Sequence, residues 1–139
     1  VNLKERIALI KQPEKIREAF YANSAAVLEF AFRDDANVRA VIAAGREAVQ
    51  VIEQELKRTG GGLHEISLAC LAYILSKIDM KEAARILRPL FPKVVKRPGS
   101  FAAVFIARPL RIDSNLPSTE GELSFTTEQL QETLKAIRR

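Results

Sequence analysis

Apolar residues recur at helical spacing along most of the chain. Leu3, Ile7 and Ile10 fall at i, i+4 and i+7, which predicts a short helix over residues 2–11. Pro13 suits the first turn of a following helix, with Ile16, Ala19 and Phe20 as its expected inner face. A third helix, capped by Asn23 or Ser24, carries the stripe Leu28, Ala31 and Phe32, with Glu29 and Arg33 spaced as an i, i+4 pair. Asp34 and Asp35 read as a capping turn, because nothing nearby completes a metal or acid–base site.

The stretch 36–91 reads as four helices in two antiparallel pairs. Val38, Val41 and Ile42 open the first, and Gly45 supplies the tight turn after it. Ala48, Val49, Ile52 and Leu56 stripe the second, with Glu53 and Lys57 paired on its outer face. Thr59-Gly60-Gly61-Gly62 then ends the helix. A phosphate loop would need a preceding strand and a Gly-Lys-Ser/Thr ending, so this is an interhelical turn. Residues 63–78 are apolar on nearly every side: Leu71, Ile74, Leu75 and Ile78 on one face, Ile66, Cys70 and Tyr73 on another. Such a helix belongs at the centre of a core. Asp79 with Glu82 at N3 predicts a capping box for the fourth helix. Ile86, Leu87 and Phe91 point inward there, Lys81, Arg85 and Arg88 line the other side, and Pro92 marks its end. The second and fourth helices share Glu47-Ala48-Val49-x-Val51-Ile52-x-x-x-Leu56 and Glu82-Ala83-Ala84-x-Ile86-Leu87-x-x-x-Phe91, offset by 35 residues. A fixed period of this size marks stacked helical repeats.

Beyond Pro92 the pattern weakens. Ser100 followed by FAAVFIA fits a short capped helix or a buried strand, and the helical neighbours favour helix. Residues 109–124, rich in Pro, Ser, Asn, Thr and Gly, read as a linker. Thr126 and Gln129 make a capping box, and Phe125 and Leu130 a hydrophobic staple. The helix they start has the stripe Leu130, Leu134 and Ile137. It is too short to be stable alone and should dock on the body or on a second copy.

Composition adds a charge asymmetry. The net charge is +5, but residues 1–80 net to zero, residues 112–139 to −2, and residues 81–111 to +7. A partner drawn by charge would meet Lys81, Arg85, Arg88, Lys93, Lys96, Arg97, Arg108 and Arg111. That predicts an acidic protein, or nucleic acid as the alternative. No apolar run reaches the roughly 20 residues a bilayer requires. VNLKERIALIKQ has no continuous apolar core, so neither a signal peptide nor a membrane partner is expected. The single cysteine, Cys70, excludes an internal disulfide and suits the reducing cytoplasm.

Catalytic chemistry is not legible. His64, the only histidine, stands six residues from Cys70 and on another side of the helix, so the two form neither a dyad nor a zinc site. Cys70 lies in an apolar run and reads as a small core side chain. Glu53 with Glu55, and Glu120 with Glu122, are carboxylate pairs in surface-like contexts. The expectation is a non-enzyme without cofactor or metal. A small enzyme whose site the sequence does not reveal is the further alternative.

Ile42-x-x-Gly45-x-x-Ala48-Val49-x-x-Ile52-x-x-x-Leu56, the apolar helix after it and Glu82-Ala83-Ala84-x-x-Leu87 resemble HEAT-like helical repeats over residues 38–91. Met80 stands where the second unit would carry its interhelical glycine. The resemblance implies side-by-side helical pairs serving as a binding scaffold, and it brings no catalytic residues. The expected molecule is one all-α domain of roughly seven or eight helices. Its parts are N-terminal helices (1–35), a repeat-like core (36–91), a basic segment and linker (92–124) and a C-terminal docking helix (125–139). Its expected function is a protein-interaction scaffold.

Overall fold

The computed structural model describes residues 1–118, 121 and 123–139, and Glu120 and Glu122 lie outside them. Among the described residues the fold is all-α: ten α-helices, one 3-10 turn and no strand. The helices are α1 (Leu3–Ile10), α2 (Arg17–Phe20), α3 (Ala25–Asp34), α4 (Ala36–Ala43), α5 (Arg46–Thr59), α6 (Glu65–Ile78), α7 (Met80–Leu87), α8 (Phe91–Val94), α9 (Phe101–Asp113) and α10 (Thr127–Ile137). The 3-10 turn, Pro13–Lys15, precedes α2. The count exceeds seven or eight partly because the helix expected through Phe91 ends at Leu87 and a separate single turn, α8, follows it.

α6 is the centre. Every residue from Ile66 to Leu75 is buried, and the helix packs against α1, α3, α4, α5, α7 and α9. A helix enclosed on so many sides needs apolar side chains all round, which is how its sequence reads. Where α3, α6 and α9 meet, the rings of Phe32, Tyr73 and Phe105 pack with centroids 5.4–6.4 Å apart. Such aromatic pairs add roughly 0.5–1.5 kcal/mol each beyond burial. The 35-residue offset is carried by the core: Ala48 and Ala83, Val49 and Ala84, Ile52 and Leu87, Leu56 and Phe91 are all buried.

Most caps are where the sequence puts them. Ser24, Asp35, Asp79 and Ser100 each accept a backbone N–H at a helix start, and Thr126 with Gln129 forms a full capping box. Five expectations give way to local physics. Glu82 does not complete a box with Asp79. The Asp79 N–H already closes α6 on the Leu75 carbonyl, and the Glu82 carboxylate takes the Arg85 guanidinium at 2.7 and 3.1 Å, a charge-assisted bond. Glu29 pairs not with Arg33 but with Arg108, at 2.5 Å and largely out of water; Arg33 turns to Asp34. Phe20 is not inward: Ile16 caps α2 with non-helical dihedrals, the stripe breaks, and Phe20 is 44% exposed. Pro92 does not end ordered structure but sits in the first turn of α8, where its missing N–H costs nothing. Finally, the stretch after Ser100 is helical as expected, but the linker does not begin at residue 109: α9 runs from Phe101 through Pro109 to Asp113. The proline forfeits one helical hydrogen bond, while Leu110 and Arg111 beyond it are buried. α9 ends where Asn115 turns left-handed (φ 56°) and the Leu116 N–H returns to the Arg111 carbonyl at 2.7 Å.

Candidate functional site

The eight basic residues of segment 81–111 take two different fates. The arginines all find hydrogen-bond partners within the chain. Arg85 reaches from α7 across to α5, where its two terminal nitrogens donate to both Glu53 oxygens at 2.9 and 3.0 Å. That bond, joined by Lys57, outweighs desolvation and holds the Glu53 carboxyl down at about 2. Arg97 donates to Glu65 at 2.6 Å and to the Gly61 carbonyl at 3.1 Å, tying the loop before α9 to the start of α6. Burial alone would raise the Glu65 carboxyl, but donors from Ser100, Arg97 and the Ala102 N–H outweigh it and leave it below the usual range. Arg108 holds Glu29, and Arg88 donates to the Ile137 carbonyl at the end of α10.

Arg111 is the extreme case, at 1% exposure. It donates to the Pro117 carbonyl at 2.7 Å, the Gln129 carbonyl at 2.9 Å and the Thr133 hydroxyl at 3.1 Å, and pairs with Glu132 at 2.9 Å. Its guanidinium also lies 5.3 Å from the centroid of the Phe125 ring. One planar, multiply donating cation thus holds both the chain leaving α9 and the helix that returns on it, which a lysine could not do.

The lysines behave oppositely. Lys81, Lys93 and Lys96 are exposed, and among the described residues no carboxylate lies within ion-pair distance of them. Lys93 and Arg85 share the rim of a groove between α5 and the α7–α8 corner. Leu56, Ile86 and Leu90, each less than a tenth exposed, form its floor, and Glu53, Lys57, Gly60 and Pro89 complete its lining; its volume is about 310 Å³. Gly60 caps α5 in the left-handed conformation (φ 59°).

A second surface escapes sequence reasoning. Phe20, Tyr21, Val27 and Phe30 are 44, 85, 45 and 46% exposed, the largest apolar side chains left in water apart from Val1 and Ile112. Phe20 and Tyr21 meet edge to face at 5.4 Å, and the Arg33 guanidinium sits 4.9 Å from the Phe30 ring centroid. The signal was present: Val27 and Phe30 lie three apart on α3, off the Leu28–Phe32 stripe that had already been assigned inward.

Groups with catalytic potential are otherwise engaged. His64 Nδ1 accepts the Ile66 N–H at 3.1 Å and so caps α6. Burial pushes the Cys70 thiol well up. Among the described residues no cluster of three or more His, Cys, Asp or Glu could hold a metal ion, and no helix is long and apolar enough to cross a membrane. No family model, curated protein or solved structure matches the chain.

Proposed function

We propose that the protein is a non-enzymatic interaction scaffold of the helical-repeat type, working in the cytoplasm and binding another protein. The observation that carries this reading is the exposure of Phe20, Tyr21, Val27 and Phe30. Scattered exposed apolar residues are ordinary, but three aromatic rings and a valine on α2, its C-cap and the next helix, with the Arg33 guanidinium beside Phe30, have the composition of an interface hot spot. The HEAT-like reading draws support from the four matched pairs of core positions at the 35-residue offset. Against the nucleic-acid alternative stands the engagement of all five arginines of the basic segment by carboxylates or carbonyls of the chain itself.

Placing a photoreactive phenylalanine analogue at Tyr21 tests the reading. Irradiation in an extract of the protein's own cells should give discrete protein adducts. Excess unlabelled protein should compete them away, and excess F20S/Y21S variant should not. Absence of adducts, or adducts to nucleic acid alone, would overturn the scaffold reading.

A further inference from the structure

We infer that the groove between α5 and the α7–α8 corner binds an acidic amphipathic helix of a partner protein, which names the kind of partner the scaffold reading leaves open and rests on that reading. The floor is aliphatic: Leu56 from α5, Ile86 from α7 and Leu90 at the corner. Lys57 comes to it from α5 and Lys93 from α8; Arg85 lines it too but is held by Glu53 and Glu82. The Lys57 side chain is 74% exposed and its contact with Glu53, at 3.3 Å, is a loose one on the helix surface. Lys93 has no carboxylate partner among the described residues.

An apolar floor between two basic rims is complementary to an apolar stripe flanked on both sides by carboxylates. A helix presents that pattern naturally, with anchors at i, i+3 and i+7 and acidic residues on either side. At about 310 Å³ the groove accepts one or two aliphatic anchors rather than a whole helix face. The carboxylates on the rims therefore set orientation and association rate, and the anchors provide the apolar burial. Glu53 also lines the groove and, ionised, occupies the Arg85 guanidinium, which leaves Lys93 and the loosely held Lys57 to meet the partner's carboxylates.

The experiment uses the full chain and three fluorescent probes. The first is a helical peptide with leucines at i, i+3 and i+7 flanked by glutamates. The second has serines for the leucines, and the third is a duplex DNA without any apolar anchor. Fluorescence anisotropy should show saturable binding of the first peptide, weakened about tenfold or more both by the serine replacement and by K57E/K93E in the protein. Both lysines are exposed, so the variant should fold, and an unchanged thermal melt verifies it. In methyl NMR spectra the first peptide should shift Leu56, Ile86 and Leu90 selectively. The inference fails if the leucine peptide does not saturate, if K57E/K93E binds it equally, or if the serine peptide or the duplex binds as well. The last outcome would identify a general polyanion surface. None of these outcomes bears on the Tyr21 adducts, which report on another face of the molecule, so the scaffold reading can stand or fall separately.

Discussion

At the scale of single residues, buried arginine and half-buried glutamate set the terms. Removing Arg111 would take one donor from the Pro117 and Gln129 carbonyls and from the Thr133 hydroxyl and break the pair with Glu132, while Thr133 goes on donating to Gln129. A hydrogen bond to a charged group contributes about 1.5–3 kcal/mol. Arg111→Met should therefore lower the denaturation midpoint and open residues 114–118 to protease, and a melt equal to wild type would show that the guanidinium holds nothing. Glu53 makes a pH prediction. Its carboxyl is held at about 2 against 4.5 for an unconstrained glutamate. A depressed pKa means that the unfolded chain takes up the proton first. The stabilisation is complete above about pH 4.5 and is lost as the pH falls toward 2. Glu65 and Glu55 shift in the same direction. Thermal melts of Glu53→Gln should be lower than wild type at neutral pH and converge on it below pH 3. Parallel curves would mean that the Arg85 pair is absent in solution. In the core, Leu71→Ala on α6 should cost about 2–5 kcal/mol by equilibrium denaturation, and under 1 kcal/mol would displace α6 from the centre.

At the scale of elements, α10 docks chiefly on one neighbour, α9. Leu134 and Ile137 are buried and Leu130 partly so, against a surface made chiefly by α9. Deleting residues 124–139 should expose that surface of α9 and lower stability, seen as a drop in melting temperature with increased binding of an apolar dye. Unchanged behaviour would make α10 a loose tail. Elements with an uninterrupted period were legible in the sequence. α5 buries Ala48, Val49, Ile52 and Leu56, the four positions its stripe predicts, and α10 forms with its capping box and two of its three stripe residues buried. What was not legible depends on tertiary competition. Pro109 looks like a terminator in isolation, and only the buried Leu110 and Arg111 after it explain why α9 runs on. Glu29 and Arg33 are neighbours in sequence, but Arg108 of α9 reaches Glu29 in a drier place. The exposure of Phe20 follows from the non-helical Ile16, which no spacing in the sequence reveals, and Val27 and Phe30 lie off the buried stripe of α3.

At the scale of the whole molecule, the uneven charge of the chain is largely resolved within the fold. The basic segment meets carboxylates supplied from outside it: Glu29, Glu53 and Glu65 from before, Glu132 from after. Carboxylates from both flanking segments thus pair with the basic one, and what remains without a carboxylate partner among the described residues is chiefly Lys81, Lys93 and Lys96. Anisotropy titration of labelled duplex and single-stranded nucleic acid at about physiological ionic strength tests this division most directly, since phosphate binding is read by its salt dependence. The account predicts no saturable binding of either strand form. Tight binding that falls steeply with added salt, and that Lys81, Lys93 and Lys96→Glu abolishes, would contradict it.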